Sequence, residues 1–125
     1  MDELHDPARY SPRVLELFDR PARLGPPPGA NREGQAENRA RGSWLRMYLQ
    51  VEAERVVAAG FHARGCPHTI AAAELACEAL TGSDASELAE YRAEFLEAAL
   101  PLPPEKLDVR LLIEDAVRAA AHGRR

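Results

Sequence analysis

The chain has 125 residues, of which 46% are hydrophobic and 29% charged, and its formal net charge is −4. This length predicts a single domain over residues 1–125, and the acidic balance argues against a nucleic-acid-binding protein. Its apolar runs fall well short of the roughly 18 residues of a membrane span, so we also expect no membrane partner. The polar N-terminus predicts no signal peptide and hence a cytoplasmic protein.

The first forty residues predict a short helix followed by a segment without a clear pattern. Ser11 suits the N-cap of the helix and Pro12 suits its first position, while Pro21 ends it. Residues 25–29, Gly-Pro-Pro-Pro-Gly, predict a stiff turn. Residues 31–42 are polar, so an edge strand and a loop both remain open.

Two strands joined by a hairpin are expected next. Residues 44–51 alternate in polarity as a half-buried strand does, and residues 52–55 predict the turn. The first strand is expected to bury Leu45, Met47, Leu49 and Val51. The returning strand is expected to turn inward Val57, Ala59, Phe61 and Ala63.

Cys66 stands where the second strand passes into a helix that begins at Pro67. Unpaired N–H groups and the positive end of a helix dipole favour a thiolate at such a position. A reactive thiol and a buried structural thiol both remain open, and His68 is expected to face solvent. Cys77 falls on the buried stripe of the same helix. At about 1.5 Å rise per residue it lies roughly 16 Å from Cys66, too far for a disulfide or a shared metal.

Helical segments complete the chain. Gly82 is expected to close the helix that follows Cys66, and Ser83 or Asp84 to cap a short acidic helix. Residues 92–100 continue helically, and the proline-rich residues 101–104 predict an extended break.

Residues 105–122 predict a last helix, with Glu114 and Asp115 on its solvated face. Its inner face is expected to contain Leu112, Ala116, Ala119 and Ala120. The order of a helix, a small antiparallel sheet and three further helices predicts an α+β fold in two layers.

Common catalytic and metal-binding motifs are missing from the sequence. It contains no glycine-rich phosphate loop, no Gly-x-Ser-x-Gly elbow and no His-Glu-x-x-His pattern. A triad of Ser43, His68 and Asp108 has no local support. Around Cys66 there is no second cysteine at ligand spacing, so chemistry alone does not favour a closed metal site, which needs three or four protein ligands.

Five short segments of the sequence nevertheless occur in the order that is typical of one protein family. They are residues 10–14 (Tyr-Ser-Pro-Arg-Val), 21–25 (Pro-Ala-Arg-Leu-Gly), 61–66 (Phe-His-Ala-Arg-Gly-Cys), 102–106 (Leu-Pro-Pro-Glu-Lys) and 111–116 (Leu-Leu-Ile-Glu-Asp-Ala). Together they resemble the IscU/NifU N-terminal family of iron–sulfur cluster assembly scaffolds. The resemblance implies a three-stranded sheet backed by helices and a protein that is not an enzyme.

The resemblance also implies cargo and partners. The family carries iron or an iron–sulfur cluster, works with a cysteine desulfurase, and includes homo-oligomers. Its Leu-Pro-Pro-Val-Lys tract, which a dedicated Hsp70 chaperone recognises, falls on Leu102, Pro103, Pro104, Glu105 and Lys106. Glu105 places a charge where the tract has valine, which weakens the expected chaperone interaction.

The chain departs from the family at the cluster site. Members hold the cluster with three cysteines, helped by an aspartate and a histidine. The first cysteine and the aspartate fall on Arg41 and Ser43, and the second cysteine matches Cys66. The histidine and third cysteine fall on Asp108 and Val109. We expect Arg41 and Asp108 to form an ion pair in place of metal ligation.

Three functions follow from this pattern. The first is a scaffold-like protein of cluster assembly with a degenerate site, because a [2Fe–2S] centre needs about four ligands. The second is a single-cysteine persulfide acceptor, as in the SufE group, with Cys66 as the sulfur-carrying thiol. The third is a non-catalytic interaction or regulatory module of the assembly machinery.

Overall fold

An antiparallel sheet of three strands, in the order β1-β2-β3, forms one layer of the fold, and helices form the other. The computed structural model describes residues 10–100, 102–103 and 106–125. The predicted α+β fold is confirmed. The elements are α1 (Pro12–Asp19), β1 (Arg32–Asn38), β2 (Ser43–Glu52), β3 (Arg55–Arg64), α2 (Pro67–Leu80), a 3₁₀ helix (Ala85–Glu90), α3 (Leu96–Ala99) and α4 (Leu107–Ala120).

Helix α1 begins as its sequence predicts. The Ser11 hydroxyl accepts a hydrogen bond from the Val14 N–H at 3.2 Å, and Pro12 occupies the first turn, where a missing N–H costs nothing. After the helix the chain runs along the edge of β3. There the Gly25 N–H donates to the Phe61 carbonyl at 2.7 Å, and the Phe61 N–H donates to the Arg23 carbonyl at 3.0 Å.

The sequence allowed residues 31–42 to form either an edge strand or a loop. Most of this segment forms the edge strand β1, which pairs with β2. Gly34 allows α4 to lie directly on β1, since a Cβ at this position would overlap the backbone of Ala116 and Ala120. The sheet and the last helix therefore approach more closely here than side chains would permit.

Strand β2 buries the predicted face, with Leu45, Met47 and Leu49 inaccessible to solvent. The β2–β3 turn is a two-residue loop in which Ala53 and Glu54 have φ of +49° and +64°. Both residues are therefore in the left-handed region, as a type I′ turn requires.

The prediction that Val57 faces the core is wrong. The register of β3 shifts beside Gln50, so that Gln50 pairs with Ala58 and Val51 with Val56. This bulge leaves Val57 outside the pairing; Val57 is 43% exposed and Val56 is fully buried. The rest of the predicted face points inward, because Ala59 and Phe61 are buried and Ala63 is partly buried against the core.

Helix α2 is buried on nearly all sides, which overturns the prediction that His68 faces solvent. His68 is only 4% exposed, and its ring lies 5.0 Å from the ring of Tyr10. Helix α1 packs against α2 and covers the face that contains His68. The sequence pattern of α2 alone predicts that this face is exposed to solvent. Cys77 lies in the core as predicted, and burial raises the pKa of its thiol.

The connection to the C-terminal helices follows the expected caps. Gly82, with φ of +95°, follows the C-cap Thr81, and the Asp84 carboxylate accepts from the Ser86 N–H at 2.9 Å. The capped helix is 3₁₀ in type and ends at Glu90.

The prediction that residues 92–100 continue helically is wrong, because only the single turn α3 is helical there. The Ala93 N–H and the Tyr91 carbonyl instead bond to side chains of α4. Of the proline-rich break, Pro101 and Pro104 lie outside the described residues.

Helix α4 packs on β1 and β2. Two predictions about the burial of its residues are wrong. Ala119 is exposed, because it lies at the flank of a buried stripe that includes Ala116 and Ala120. Glu114 is buried, whereas the sequence predicted a solvated residue. Its carboxylate accepts from the Ala93 N–H at 2.8 Å and pairs with Arg110 at 3.1 Å, so it fastens the preceding loop to α4.

Within the described part of the chain, no helix combines the length and the apolar character needed to cross a membrane.

Candidate functional site

A pocket of about 180 Å³ opens where the loop after β1, the start of α2 and the start of α4 meet. Every position that the sequence singled out for cluster binding lies in its wall. The lining residues are Arg41, Ser43, Gly65, Cys66, Thr69, Lys106, Asp108, Val109 and Leu112. The fold therefore brings together three chain segments that are far apart in sequence.

Cys66 is the N-cap residue of α2, with extended backbone angles (φ −73°, ψ 170°). The Thr69 N–H donates to the Cys66 carbonyl at 2.9 Å, and the Thr69 hydroxyl lies 3.7 Å from the Cys66 Sγ. Gly65 permits this geometry, because a Cβ there would lie 2.7 Å from Thr69 Oγ1. The thiol is consequently half-buried and held against the first turn of the helix.

The environment of Cys66 favours its thiolate. Burial has the largest single effect and raises the pKa of the thiol. Hydrogen bonding with the His68 side chain and with Thr69, together with the positive charge of Lys106, outweighs burial and lowers the pKa to about 6. Most Cys66 side chains are therefore ionised at neutral pH, when a free cysteine is mostly protonated.

The expected ion pair between Arg41 and Asp108 is confirmed. Arg41 Nε lies 2.8 Å from Asp108 Oδ2, and both side chains are partly exposed. Asn38 completes the arrangement, because its Nδ2 donates to the same carboxylate oxygen at 2.9 Å. The Asn38 Oδ1 in turn accepts from the Arg41 N–H at 3.4 Å. The loop after β1 is thus tied to the start of α4.

Sequence reasoning missed three neighbours of the thiol and the ion pair. Lys106 was considered only within the chaperone tract, and Thr69 and Asn38 received no role. A hydroxyl three residues after a helix N-cap is a local signal that pointed to Thr69. No local pattern indicates Lys106 or Asn38, since Lys106 reaches the pocket, and Asn38 reaches the Asp108 carboxylate, from a distant segment.

The side chains in the pocket do not fit an iron–sulfur cluster bound by this chain alone. Among the described residues, no group of three or more His, Cys, Asp and Glu side chains could hold a metal ion. Arg41 and Val109 supply no ligand atoms, and the Asp108 Oδ2 is engaged by Arg41 and Asn38. The Cys66 thiol and the unpartnered Asp108 Oδ1 together fall short of the roughly four ligands that a cluster needs. Cys77, the second cysteine of the chain, lies in the core and away from this pocket.

The proposed chaperone tract is described in part, because Pro104 and Glu105 lie outside the described residues. Leu102 and Pro103 are half-buried. Leu102 lines a second pocket of about 200 Å³ with Leu96, Glu97, Leu107 and Arg110. On α4, Leu107 and Leu111 are each more than half exposed.

The sequence matches the family model of the NifU-like N terminal domain over residues 9–123. This chain belongs to that family. The NifU-like domain is 29% identical over 118 residues to the "Iron-sulfur cluster assembly scaffold protein IscU" of Azotobacter vinelandii, covering 89% of this chain and 90% of the relative. It is 28% identical over 115 residues to the protein of the same name from Rickettsia prowazekii, covering 89% and 88%.

Solved structures share the fold of this NifU-like domain. A protein of Fervidobacterium islandicum, assigned as a cluster assembly scaffold for the SUF system, superposes with a TM-score of 0.72 at 19% identity, covering 93% of this chain and 98% of that one. The N-terminal part of a NifU-like protein from Brucella abortus gives 0.64 at 20% identity, covering 88% and 90%. The family resemblance seen in five short segments is confirmed, and so is the fold that it implied.

Proposed function

We propose that this NifU-like domain serves iron–sulfur cluster assembly as a sulfur acceptor, with Cys66 receiving sulfur from a cysteine desulfurase. One observation carries the proposal: Cys66 lines a pocket together with an Arg41–Asp108 ion pair, at positions where the family resemblance predicts cluster ligands. A single thiolate is sufficient to carry sulfur, whereas a cluster needs about four ligands. In this role the chain is a carrier and not an enzyme, and its setting is the cytoplasm.

The transfer is a thiol–persulfide exchange at Cys66. Its thiolate Sγ attacks the terminal sulfur of a persulfide on the desulfurase cysteine, and one S–S bond forms while another breaks. The desulfurase cysteine leaves as a thiolate, so no external oxidant or reductant is needed. With a pKa of about 6, Cys66 requires no separate base at neutral pH.

The residues around Cys66 suit the product as well as the reactant. A persulfide on Cys66 is anionic near neutral pH, and the Thr69 hydroxyl and the Lys106 charge lie where they stabilise the thiolate. The Arg41–Asp108 pair covers one side of the pocket, which limits access of bulk thiols to the bound sulfur.

A second candidate is a cluster scaffold completed by another chain. It is favoured by the family match over residues 9–123 and by relatives that are named scaffold proteins. Cys66 would then supply one ligand, and a second copy of the chain or a client protein would supply the others. An Hsp70-type chaperone that binds near Leu102 would be a further partner in this role.

The two candidates separate in one experiment. Purified protein is incubated without air with a cysteine desulfurase and cysteine, and intact mass is measured before and after a reducing agent is added. We expect one added sulfur atom, removed by reduction, in the wild type and in Cys77→Ala but not in Cys66→Ser. Cys77→Ala is the matched control, because that thiol is buried and its pKa is raised.

A repeat with iron present tests the scaffold role. Visible absorption from a bound cluster, together with no persulfide on Cys66, would replace the acceptor function by the scaffold function. If the desulfurase is active and the wild-type protein acquires neither sulfur nor a cluster, with or without iron, the acceptor function and the scaffold function are both contradicted.

A further inference from the structure

The pocket beside Cys66 has room for more than one transferred sulfur atom. Its volume is about 180 Å³, several times the ~30 Å³ that a water molecule occupies in the liquid. A protein donor needs only to present its persulfide at the mouth of such a pocket. The remaining space therefore fits a small molecule that enters whole.

The charges in the wall indicate which small molecules would enter. The lining holds two cations, Arg41 and Lys106, and one carboxylate, Asp108. The Oδ2 of Asp108 is bonded to Arg41 and Asn38, and its buried Oδ1 has no hydrogen-bond partner within the described structure. The hydroxyls of Ser43 and Thr69 add hydrogen-bond donors to the same lining. A small oxyanion is the ligand class that this combination of cations and hydroxyls favours.

Part of the pocket lining also suits sulfur. Val109 and Leu112 are apolar and line the pocket together with Cys66. His68, two residues after Cys66, is buried, and its Nδ1 has no hydrogen-bond partner within the described structure. A ligand that combines a polarisable sulfur with charged oxygens matches this mixed lining.

We propose that this pocket accepts small thiosulfonate anions, of which thiosulfate is the simplest, as direct sulfur donors to Cys66. The inference rests on the proposed function for the thiol and its persulfide product, and it adds a donor class that needs no protein partner. The Cys66 thiolate attacks the outer sulfur of thiosulfate, a new S–S bond forms, and the original S–S bond breaks. Sulfite leaves with the bonding electron pair, so atoms and electrons balance without another reagent.

Lys106 has a specific task in this reaction. An anionic thiolate and a dianionic donor repel each other, and a cation beside the thiolate reduces that repulsion. Lys106 lines the same pocket as Cys66, and its positive charge lowers the pKa of the thiol. Its ammonium group is therefore placed to draw the donor's oxygens toward the reacting sulfur.

The test uses the full chain with thiosulfate as the probe. Released sulfite and the added sulfur on Cys66 are measured for the wild type, Cys66→Ser, Lys106→Met and Lys106→Arg. We expect sulfite release from the wild type and none from Cys66→Ser. Lys106→Met should slow release about tenfold, and Lys106→Arg should restore most of the rate, because the charge decides the effect.

A neutral reagent separates charge recognition from simple thiol reactivity. At about pH 9 the Cys66 thiol, with a pKa of about 6, is ionised, and iodoacetamide should then alkylate wild type and Lys106→Met at similar rates. Equal rates with thiosulfate in these two proteins would overturn the role of the pocket cation.

The desulfurase assay distinguishes the two proposals. Wild-type protein that accepts sulfur from the desulfurase but releases no sulfite from thiosulfate would overturn this inference alone. Failure with both donors would overturn the proposed function as well.

Discussion

At the scale of single residues, Cys66 and the Arg41–Asp108 ion pair define the chemistry of one pocket. The Arg41–Asp108 pair is partly exposed, and such pairs contribute only about 0–1 kcal/mol to stability. Its effect is mainly one of position, because it ties the loop after β1 to the start of α4 beside Cys66. The surroundings of Cys66 favour its thiolate.

The pH dependence of Cys66 alkylation is the first prediction at this scale. The rate of reaction with iodoacetamide should rise with a midpoint near pH 6, the pKa of the thiol, and Thr69→Val should move this midpoint upward by removing a hydrogen bond. Mass spectrometry of the alkylated protein checks this result. A midpoint at about 8.5, as in free cysteine, would contradict it.

The same pKa has a consequence for stability. The pKa of Cys66 is lower in the folded protein than in the unfolded chain. The contribution of its thiolate to the free energy of unfolding is therefore fully present at pH values above the unfolded pKa of about 8.5. This contribution is lost as the pH falls toward and through about 6. Cys66→Ser should therefore flatten the pH dependence of unfolding in this range.

At the scale of elements, the contact between β1 and α4 positions one wall of the pocket. Helix α4 begins just before Asp108 and Val109, and it lies on β1 where Gly34 leaves no side chain between them. β1 ends at Asn38, which bonds to Asp108. The closeness of these two elements therefore sets where the Arg41–Asp108 pair forms.

Gly34→Ala should destabilise the protein by about 1–3 kcal/mol, because the added methyl group overlaps helix backbone that cannot turn aside. Urea unfolding followed by circular dichroism measures the change. Gly29→Ala is the matched control, since its methyl group would meet only the flexible Gln50 side chain, at 2.5 Å. Equal, small effects of both substitutions would show that α4 does not depend on this close contact.

At the scale of the whole molecule, the chain keeps the family fold. Matches at 28–29% identity cover 89% of the chain, and the fold superposes on a solved structure with a TM-score of 0.72. The five positions at which the resemblance predicts ligands and their helpers line one pocket.

Restoring the family's ligands should return cluster binding. The variant carries Arg41→Cys, Ser43→Asp, Asp108→His and Val109→Cys, all in the wall of one pocket with Cys66. With iron, cysteine and a desulfurase, we expect visible absorption from this variant and none from the wild type. Adding Cys66→Ser should abolish it. A folded variant without absorption would show that the pocket geometry, and not only its ligands, has diverged.

Much of the fold was predictable because it depends on local patterns. Ser11 and Pro12 mark the start of α1, and Leu45, Met47 and Leu49 mark the buried face of β2, by rules that involve only a few neighbouring residues. The Arg41–Asp108 pair was predictable for another reason. Family spacing placed both residues at positions that meet in the fold.

Other features were decided only by tertiary structure. His68 is buried because α1 covers it, and Val57 is exposed because a bulge in the β2–β3 pairing moves it out of register. Lys106 stabilises the Cys66 thiolate from a segment forty residues away along the chain. The sequence by itself determined the strand and helix periods and the caps, because these depend on neighbouring residues. Burial and charge proximity depend on which distant surfaces pack together, and so only the folded chain decided how reactive Cys66 is.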